Sequence, residues 1–210
     1  MKQILFNTEM VRAILENRKT CTRRVIKGLP LCGPHATIDE DRLFIEDEDG
    51  QFHPAEAYSH IQRGDILYVR ETWKEAEGGY IYRADEPETS GMLAENKVES
   101  RWRPSIHMPK KAARIFLEVT DVRAERLHDM TNEQAEKEGC EGFPCSCLIT
   151  GRGYHGCTDC MNSGWLEPPL IDFMYVWEST IKKKNLPKYG WDANPWVWVI
   201  DFKRIENAES

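Results

Sequence analysis

Two long segments of this chain have the composition and pattern of β-strands, and they constrain the fold most strongly. They span residues 113–127 (ARIFLEVTDVRAERL) and residues 195–205 (PWVWVIDFKRI). A period of two is typical of a β-strand whose alternate side chains enter a core. The residues expected to face inward are Ile115, Leu117 and Val119 in the first segment, and Trp196, Trp198, Ile200 and Phe202 in the second. For Trp196 and Trp198 we expect core packing.

Shorter strands are predicted at residues 2–6, 64–73 and 80–84. A helix capped by Asn7 or Thr8 follows the first of them, and two more helices are predicted at about 132–138 and 170–183. Strands at uneven spacing with few helices favour an α+β chain, built on a small, mainly antiparallel β-barrel with flanking helices. A parallel α/β fold would need regular alternation of strands and helices, which the sequence lacks.

Length and charge limit the domain organisation and the classes of function. The 210 residues suit a single domain over positions 1–210 with insertions. The net charge of −7 argues against non-specific coating of nucleic acid but leaves room for a local basic site. No apolar run reaches the ~18 residues of a membrane span, and the N-terminal run is too short for a signal peptide. We therefore expect a cytoplasmic protein with reduced thiols and no membrane partner.

Residues 18–24 (RKTCTRR) concentrate positive charge in this acidic chain, through Arg18, Lys19, Arg23 and Arg24. The segment falls at or just after the C-terminal end of the first predicted helix, where cations meet the negative end of the helix dipole. This position explains the first two cations but not the last two, which follow the helix. The segment therefore indicates either a solvated helix end or a site for an anion, and it also contains a lysine and a threonine that can form a reactive pair.

The short helix near residue 132 has a defined start and end. Thr131 and Gln134 form the pattern of a capping box, and Gly139 is a natural stop. Glu138 then lies in the last helical turn. There it is either an exposed glutamate in a Glu-rich helix or a carboxylate suited to general acid–base catalysis, and the local sequence leaves both interpretations open.

Residues 101–109 (RWRPSIHMP) combine two prolines with aromatic and cationic residues. Proline limits strand hydrogen bonding, so we expect an ordered, extended segment. Its Trp102 and His107, together with Trp73 and Tyr82, are candidates for stacking on a nucleobase. Core packing is the alternative for each of these aromatic residues.

Four cysteines form two close pairs in a glycine-rich stretch, Cys145-x-Cys147 and Cys157-x-x-Cys160. This spacing predicts a structural Zn²⁺ site of four thiolates, within an insertion at residues 140–167 that is too small to fold without metal. His155 is an alternative ligand, and a redox-active pair or incidental thiols are the alternative interpretations. The cysteines expected to stay unbound are Cys21, Cys32 and Cys140.

The ordered set RKTCTRR, GDILYVRETW, TNEQAEKEG and WVWVIDFKRI resembles the ASCH domain. The VRETW and WRPSIHMP segments are similar to longer ASCH proteins of bacteriophages and prophages. The resemblance covers roughly 120 residues. It implies a PUA-like β-barrel associated with RNA and modified nucleosides, which in a phage-encoded protein would act in the host cytoplasm.

One small branch of the ASCH family hydrolyses the amide of N4-acetylcytidine with a Lys-x-x-Thr pair and a glutamate on the following helix. This resemblance implies catalytic roles for Lys19, Thr22 and Glu138. The chemistry is coherent, because a neutral lysine can deprotonate the threonine nucleophile and a carboxylic acid can pass the proton to the leaving amine.

The sequence therefore leaves three hypotheses of different classes. The first is a module that binds RNA or a modified nucleoside in a cationic pocket, and the second is an amidohydrolase of N4-acylated cytidine. The third is a protein-interaction adaptor built on the zinc insertion. The candidate ligand-binding residues are Arg18, Arg23, Arg24, Arg70, Glu71, Trp73, Ser105 and His107.

Overall fold

The computed structural model describes residues 1–28, 35–40, 42–86, 101–149, 160–161 and 163–206. Within these ranges the chain is a mixture of α and β structure with few helices and mostly antiparallel pairing, so the α+β prediction is confirmed. No helix in the described ranges is long and apolar enough to cross a membrane.

Twelve strands and five α-helices are described in these ranges. The strands are β1 (Lys2–Leu5), β2 (Cys21–Val25), β3 (Ala36–Asp39), β4 (Arg42–Glu46), β5 (Phe52–Pro54), β6 (Ile66–Arg70), β7 (Trp73–Ala76), β8 (Gly79–Tyr82), β9 (Phe116–Arg126), β10 (Phe143–Pro144), β11 (Trp165–Glu167) and β12 (Trp196–Ile205). The helices are α1 (Thr8–Leu15), α2 (Asn132–Lys137), α3 (Ser146–Ile149), α4 (Pro169–Thr180) and α5 (Leu186–Tyr189).

The strands form one five-stranded sheet and three smaller ones. The large sheet has the order β1-β6-β9-β12-β2, with β1 parallel to β6 and β6 antiparallel to β9. The small sheets are β3-β4-β5, β7-β8 and β10-β11. Among the strands that the structure describes, the pairing is not closed into the barrel that the sequence predicts, and β1 and β2 stand at the two ends of the strand order.

The chain divides into two compact units. Unit 1 comprises Met1–Thr20, Ile61–Asp121 and Asp201–Ser210, and unit 2 comprises Cys21–His60 and Val122–Ile200. Each unit is assembled from separate stretches of chain. The prediction of one domain over residues 1–210 stays a prediction.

The residues predicted to face inward in the first long strand are buried, whereas β12 is buried on both faces, with Val197 and Val199 at 0% exposure and Trp198 only partly buried. Ile115, Leu117 and Val119 are each at most 2% exposed. In unit 2, Trp196 is buried beside Leu43 and Ala124, and Trp198 packs against the same cluster. The core-packing prediction for the two tryptophans is therefore confirmed.

The predicted helix signals also act as expected. The Asn7 side chain accepts the Met10 amide and caps α1, and Thr131 with Gln134 forms a complete capping box at the start of α2. Gly139 follows α2 with a φ of 91°, a left-handed conformation that favours glycine at a helix end. Two boundaries differ slightly from prediction, because α2 ends at Lys137 with Glu138 as its C-cap and α4 ends at Thr180.

Candidate functional site

The first two cations of RKTCTRR belong to unit 1 and are engaged there. After α1, Asn17 adopts a φ of 60°, and the Arg18 and Lys19 amides donate to the Ala13 carbonyl at 2.8 and 3.0 Å. The Arg18 guanidinium pairs with Glu16. Lys19 is only 2% exposed, and its Nζ lies 5.6 Å from the centre of the Phe6 ring. Arg18 therefore fits the interpretation as a helix end, whereas Lys19 is buried.

Residues 21–25 form strand β2, and the sequence analysis did not predict this strand. Charged side chains at positions 23 and 24 break the apolar alternation that would mark a strand. Along β2, alternation directs Cys21 and Arg23 to one face and Thr22 and Arg24 to the other. Cys21 packs in the apolar cluster beneath α2, so the first face is turned toward that helix.

Arg23 is the centre of a buried polar network in unit 2. Its side chain is 1% exposed, and its guanidinium pairs with Glu138 and Glu125 at 3.4 Å each. A third acceptor, the Gln134 Oε1, lies 2.8 Å away. A cation that binds phosphate needs access to solvent, but the Arg23 guanidinium is enclosed by its own chain. We therefore name Arg23, Glu138, Glu125 and Gln134 the Arg23 network.

One donor of the Arg23 network has no acceptor. Arg23 Nε is buried and, within the described residues, has no hydrogen-bond partner. Leaving a buried donor unsatisfied costs about 1–3 kcal/mol. Such a group is uncommon in a folded protein and is a reason to look for a ligand or an ordered water at that atom.

Glu138 is buried at the end of α2. Its side chain is 4% exposed, so the interpretation as an exposed glutamate is wrong, because the helix turns its last residue toward β2. Thr22, on the other face of that strand, is 1% exposed. Both predicted catalytic residues of unit 2 are thus shielded from solvent, while their catalytic roles stay predictions.

Arg24 is the partly buried cation of strand β2. Burial lowers the pKa of its guanidinium, and the charge of Glu138 offsets part of this shift. Arg24 is therefore within electrostatic reach of the Arg23 network. Arg24 is the less buried of the two arginines of this strand.

A second polar network lies in unit 1 and contains the predicted ligand-binding residue Glu71, whose side chain is 1% exposed. Arg114 donates to both carboxylate oxygens of Glu71, at 2.9 and 3.1 Å, and to Asp85 at 2.8 Å. The same guanidinium lies 3.9 Å from the centre of the Tyr82 ring. Burial raises the pKa of the Glu71 carboxyl, and the hydrogen bonds from Arg114 offset part of this shift. This network joins the residue after β6, strand β8 and the segment that precedes β9.

The other predicted ligand-binding residues of unit 1 have different surroundings. Trp73 is 2% exposed and packs with Met108 and Ala112, so the structure places it in a core. The Arg70 guanidinium donates to Gln3 and to the Ile106 carbonyl. Ser105 and His107 lie in one 3-10 turn, where His107 is exposed. Binding roles for these residues stay predictions.

Three of the four predicted metal ligands come together. The Sγ atoms of Cys145, Cys147 and Cys160 lie within 4.8 Å of one another, and the Cys147–Cys160 separation is 3.5 Å. A tetrahedral site with Zn–S bonds of about 2.3 Å has S···S edges of about 3.8 Å. The three thiols therefore fit a metal ion of that size, and Cys157 and the alternative ligand His155 lie outside the described residues.

Backbone contacts hold these cysteines in place. Cys145 follows β10 and its amide donates to Gly164 at 2.9 Å, while the Cys160 carbonyl accepts from Ser163. Gly142 precedes β10 with a φ of 64°, and a Cβ there would lie 2.6 Å from the Glu167 carbonyl. A side chain at position 142 would therefore clash with the backbone of β11.

Sequence reasoning missed several partners of the candidate site. Arg114 is 43 residues from Glu71, and Glu125 is 102 residues from Arg23, so no local pattern links them. Gln134 was recognised only as part of the capping box. Its second role, as an acceptor for Arg23, depends on the packing of α2 on β2.

No family model, curated protein or solved structure matches this chain.

Proposed function

We propose that this chain is a PUA-like domain of the ASCH kind that binds RNA or a modified nucleoside beside the Arg23 network. The observation that supports this proposal most directly is the buried Nε of Arg23, which has no acceptor among the described residues. A nucleobase carries carbonyl oxygens and ring nitrogens along its edges, and these atoms accept such a donor.

Arg24 supplies the charge that a nucleotide requires. It is partly buried, it follows Arg23 on β2 with its side chain directed to the opposite face, and it is within electrostatic reach of Glu138. A guanidinium binds a phosphate through two parallel N–H donors. Strand alternation directs Arg24 and Arg23 to opposite faces of β2, so in this proposal Arg24 binds the phosphate and Arg23 reaches the base only after its side chain has turned toward the ligand.

Replacement of Arg24 tests this assignment. We expect Arg24→Gln to weaken binding of a 12-nucleotide single-stranded RNA about tenfold or more, because hydrogen bonds to charged groups contribute about 1.5–3 kcal/mol. The slope of log affinity against log salt should fall by about 0.7, the value for one phosphate of a single strand. Fluorescence anisotropy at several salt concentrations measures both quantities.

The matched control is Arg126→Gln, which removes the same charge from another half-buried arginine of unit 2. It should change RNA affinity less than threefold. Isothermal titration with cytidine and N4-acetylcytidine shows whether a nucleoside without phosphate is bound. Equal affinities of the wild type and Arg24→Gln for RNA would contradict the proposal.

We also propose a second function, hydrolysis of N4-acylated cytidine, which the burial of Thr22 and Glu138 favours. Both residues are at most 6% exposed, and catalytic nucleophiles and acids work best where water is excluded. Against it, strand alternation directs Thr22 away from the face that carries Arg23 and its partner Glu138. We therefore rank hydrolysis below binding.

The hydrolase proposal makes a separate prediction. The wild type should release acetate from N4-acetylcytidine, and Lys19→Ala, Thr22→Ala or Glu138→Gln should each lower the rate by about two orders of magnitude or more. The losses should not add, because the three groups would act as a unit. Chromatography that separates cytidine from its acetylated form follows the reaction.

Thr20→Ala is the control for this series, since Thr20 is an exposed threonine of the same segment. It should retain the activity of the wild type. If folded, metal-loaded wild type turns over none of a panel of N4-acylated cytidines, the hydrolase proposal fails and the binding proposal is unaffected.

We propose that the cysteine cluster binds a structural Zn²⁺ ion, with Cys157 as the fourth ligand. The close approach of three thiols, two of them buried, supports this proposal. Thiolate ligands favour zinc among the common divalent ions, and four sulfur ligands leave no position for a catalytic water. The ion would hold the ends of the insertion together.

The adaptor hypothesis stays a prediction. Near the cysteines, Phe143, Met161 and Leu166 are apolar side chains with more than half of their surface exposed.

A further inference from the structure

Residues 101–114 form a basic strip on an acidic chain. This stretch contains Arg101, Arg103, Lys110, Lys111 and Arg114, and it has no aspartate or glutamate. The whole chain has 35 acidic residues against 28 lysines and arginines. Such a local excess of cations can attract an anionic partner although the net charge of the chain is −7.

Some of these cations are neutralised and others are not. Arg114 is bound by Glu71 and Asp85, and Arg103 pairs with Glu75 at 3.3 Å. Arg101, Lys110 and Lys111 are exposed, and no carboxylate in the described part of the chain pairs with them. Among the described residues, three cations of this stretch are therefore without an ion pair.

The backbone of the strip is fixed to unit 1 at several points. Trp73 and Arg103 exchange two backbone hydrogen bonds of 3.2 and 2.8 Å. Tyr82 donates to the Ala112 carbonyl at 2.7 Å, and the Arg70 guanidinium donates to the Ile106 carbonyl. Charges on an ordered backbone lose less entropy when they bind, so the strip is organised before any partner arrives.

Aromatic and apolar side chains lie between the charges. His107 is exposed and Ile106 is 60% exposed, and both lie in the turn that separates the two arginines from the two lysines. Unstacked bases of a single strand pack on such side chains, whereas a duplex hides its bases. This alternation of cation, ring and cation favours a single-stranded nucleic acid over an acidic peptide or a lipid surface.

We infer that residues 101–114 bind the sugar–phosphate backbone of single-stranded RNA, with Arg101, Lys110 and Lys111 as the phosphate contacts. The choice of RNA rests on the proposed function, but the strip does not include Arg23 or Arg24. A nucleoside has no phosphate, so binding of a free nucleoside should not depend on the strip.

The test compares two lysine pairs of equal charge and similar backbone. Lys110 and Lys111 open one 3-10 turn, and Lys183 and Lys184 open another in unit 2. Lys183 also lines a cleft with the acidic residues Glu178 and Asp192, so the second pair is partly compensated. Both double substitutions to glutamate change the net charge equally.

We expect K110E/K111E to weaken binding of a 20-nucleotide single-stranded RNA at least tenfold at about 50 mM salt. Its salt slope should fall by about 1.4, since each phosphate contact on a single strand accounts for about 0.7. K183E/K184E should stay within twofold of the wild type. Thermal unfolding of both variants confirms that they are folded. The double variant K110Q/K111Q removes the two charges without reversing them and is a milder test of the same contacts.

The outcomes separate this inference from the proposed function. If K110E/K111E and K183E/K184E bind RNA equally well, the strip is not the contact surface, and an effect of Arg24→Gln would still support the proposed function. If the wild type binds nucleosides but no RNA, the inference fails alone. If it binds neither, both fail.

Three further probes identify the partner class. Single-stranded DNA of the same sequence that binds as tightly as RNA supports a surface that contacts the backbone. Vesicles containing phosphatidylserine or a poly-glutamate peptide should bind at least tenfold more weakly than RNA. If either binds as well as RNA and is lost in K110E/K111E, the assignment to nucleic acid is overturned.

Discussion

Protein purified without chelator is expected to contain about one zinc ion per chain, and Cys147→Ser or Cys160→Ser should lose it. The thiols of Cys145, Cys147 and Cys160 are within 4.8 Å of one another, and removal of one ligand leaves an incomplete tetrahedron. Structural zinc sites in small peptides have apparent binding free energies of about 10–16 kcal/mol, so this is the largest effect we expect.

Loss of the metal should also loosen the surrounding chain. Strands β10 and β11 have only two and three residues, and an isolated hairpin of that length is not stable in water. Limited proteolysis of the metal-free protein should therefore cut within residues 140–167, while the rest of the chain resists longer. Metal analysis and mass spectrometry of the fragments give the two measurements.

Cys140→Ala is the control for the metal prediction. Cys140 is a buried cysteine of the apolar cluster beneath α2 and is not part of the metal-binding group of the described residues. This variant should retain its zinc, and Cys157→Ser should lose it if Cys157 is the fourth ligand. Absence of metal from the wild type would refute the zinc proposal and leave the cysteines as core residues.

Arg23→Met should destabilise the protein by about 3–5 kcal/mol, because it removes the ion pair that this guanidinium makes with the buried Glu138. The Arg23 side chain is 1% exposed and that of Glu138 is 4% exposed, so water cannot replace the lost partner. Urea unfolding monitored by tryptophan fluorescence measures the change. Adding Glu138→Leu should recover much of the stability, since a buried ion pair and a well-packed apolar pair are often similar in energy.

Arg18→Met is the matched control in the same segment. Arg18 pairs with Glu16 at the surface, and exposed ion pairs contribute about 0–1 kcal/mol. Its free energy of unfolding should therefore stay close to that of the wild type. If Arg23→Met is equally mild, the Arg23 network is not a structural centre. In either case Arg24, rather than Arg23, is the residue to replace when binding is measured.

The sequence predicts best where a signal is local. The cap at Asn7, the capping box at Thr131 and the alternation around Leu117 each depend on residues a few positions apart, and the structure confirms all three. The close cysteine pairs are similar, because ligands near one another in sequence need little help from the fold.

The sequence fails where burial depends on distant partners. Strand β2 has arginines where apolar residues would be expected, and Arg23 is tolerated there only because Glu125 and Glu138 come from other elements. Glu138 could not be distinguished from its exposed neighbours by composition. Likewise, Glu71 and Arg114 are 43 residues apart, so neither residue signals the other in the sequence.

The carboxamide oxygen of Gln134 serves two donors, the Thr131 amide at 3.2 Å and the Arg23 guanidinium at 2.8 Å. The first hydrogen bond starts a helix, and the second anchors a buried charge on a neighbouring strand. A rotation of this one side chain would break both at once, so fraying of the helix start and release of the arginine are thermodynamically linked. The proton exchange rate of the Thr131 amide is therefore a remote reporter of whether Arg23 is held or has turned toward a ligand.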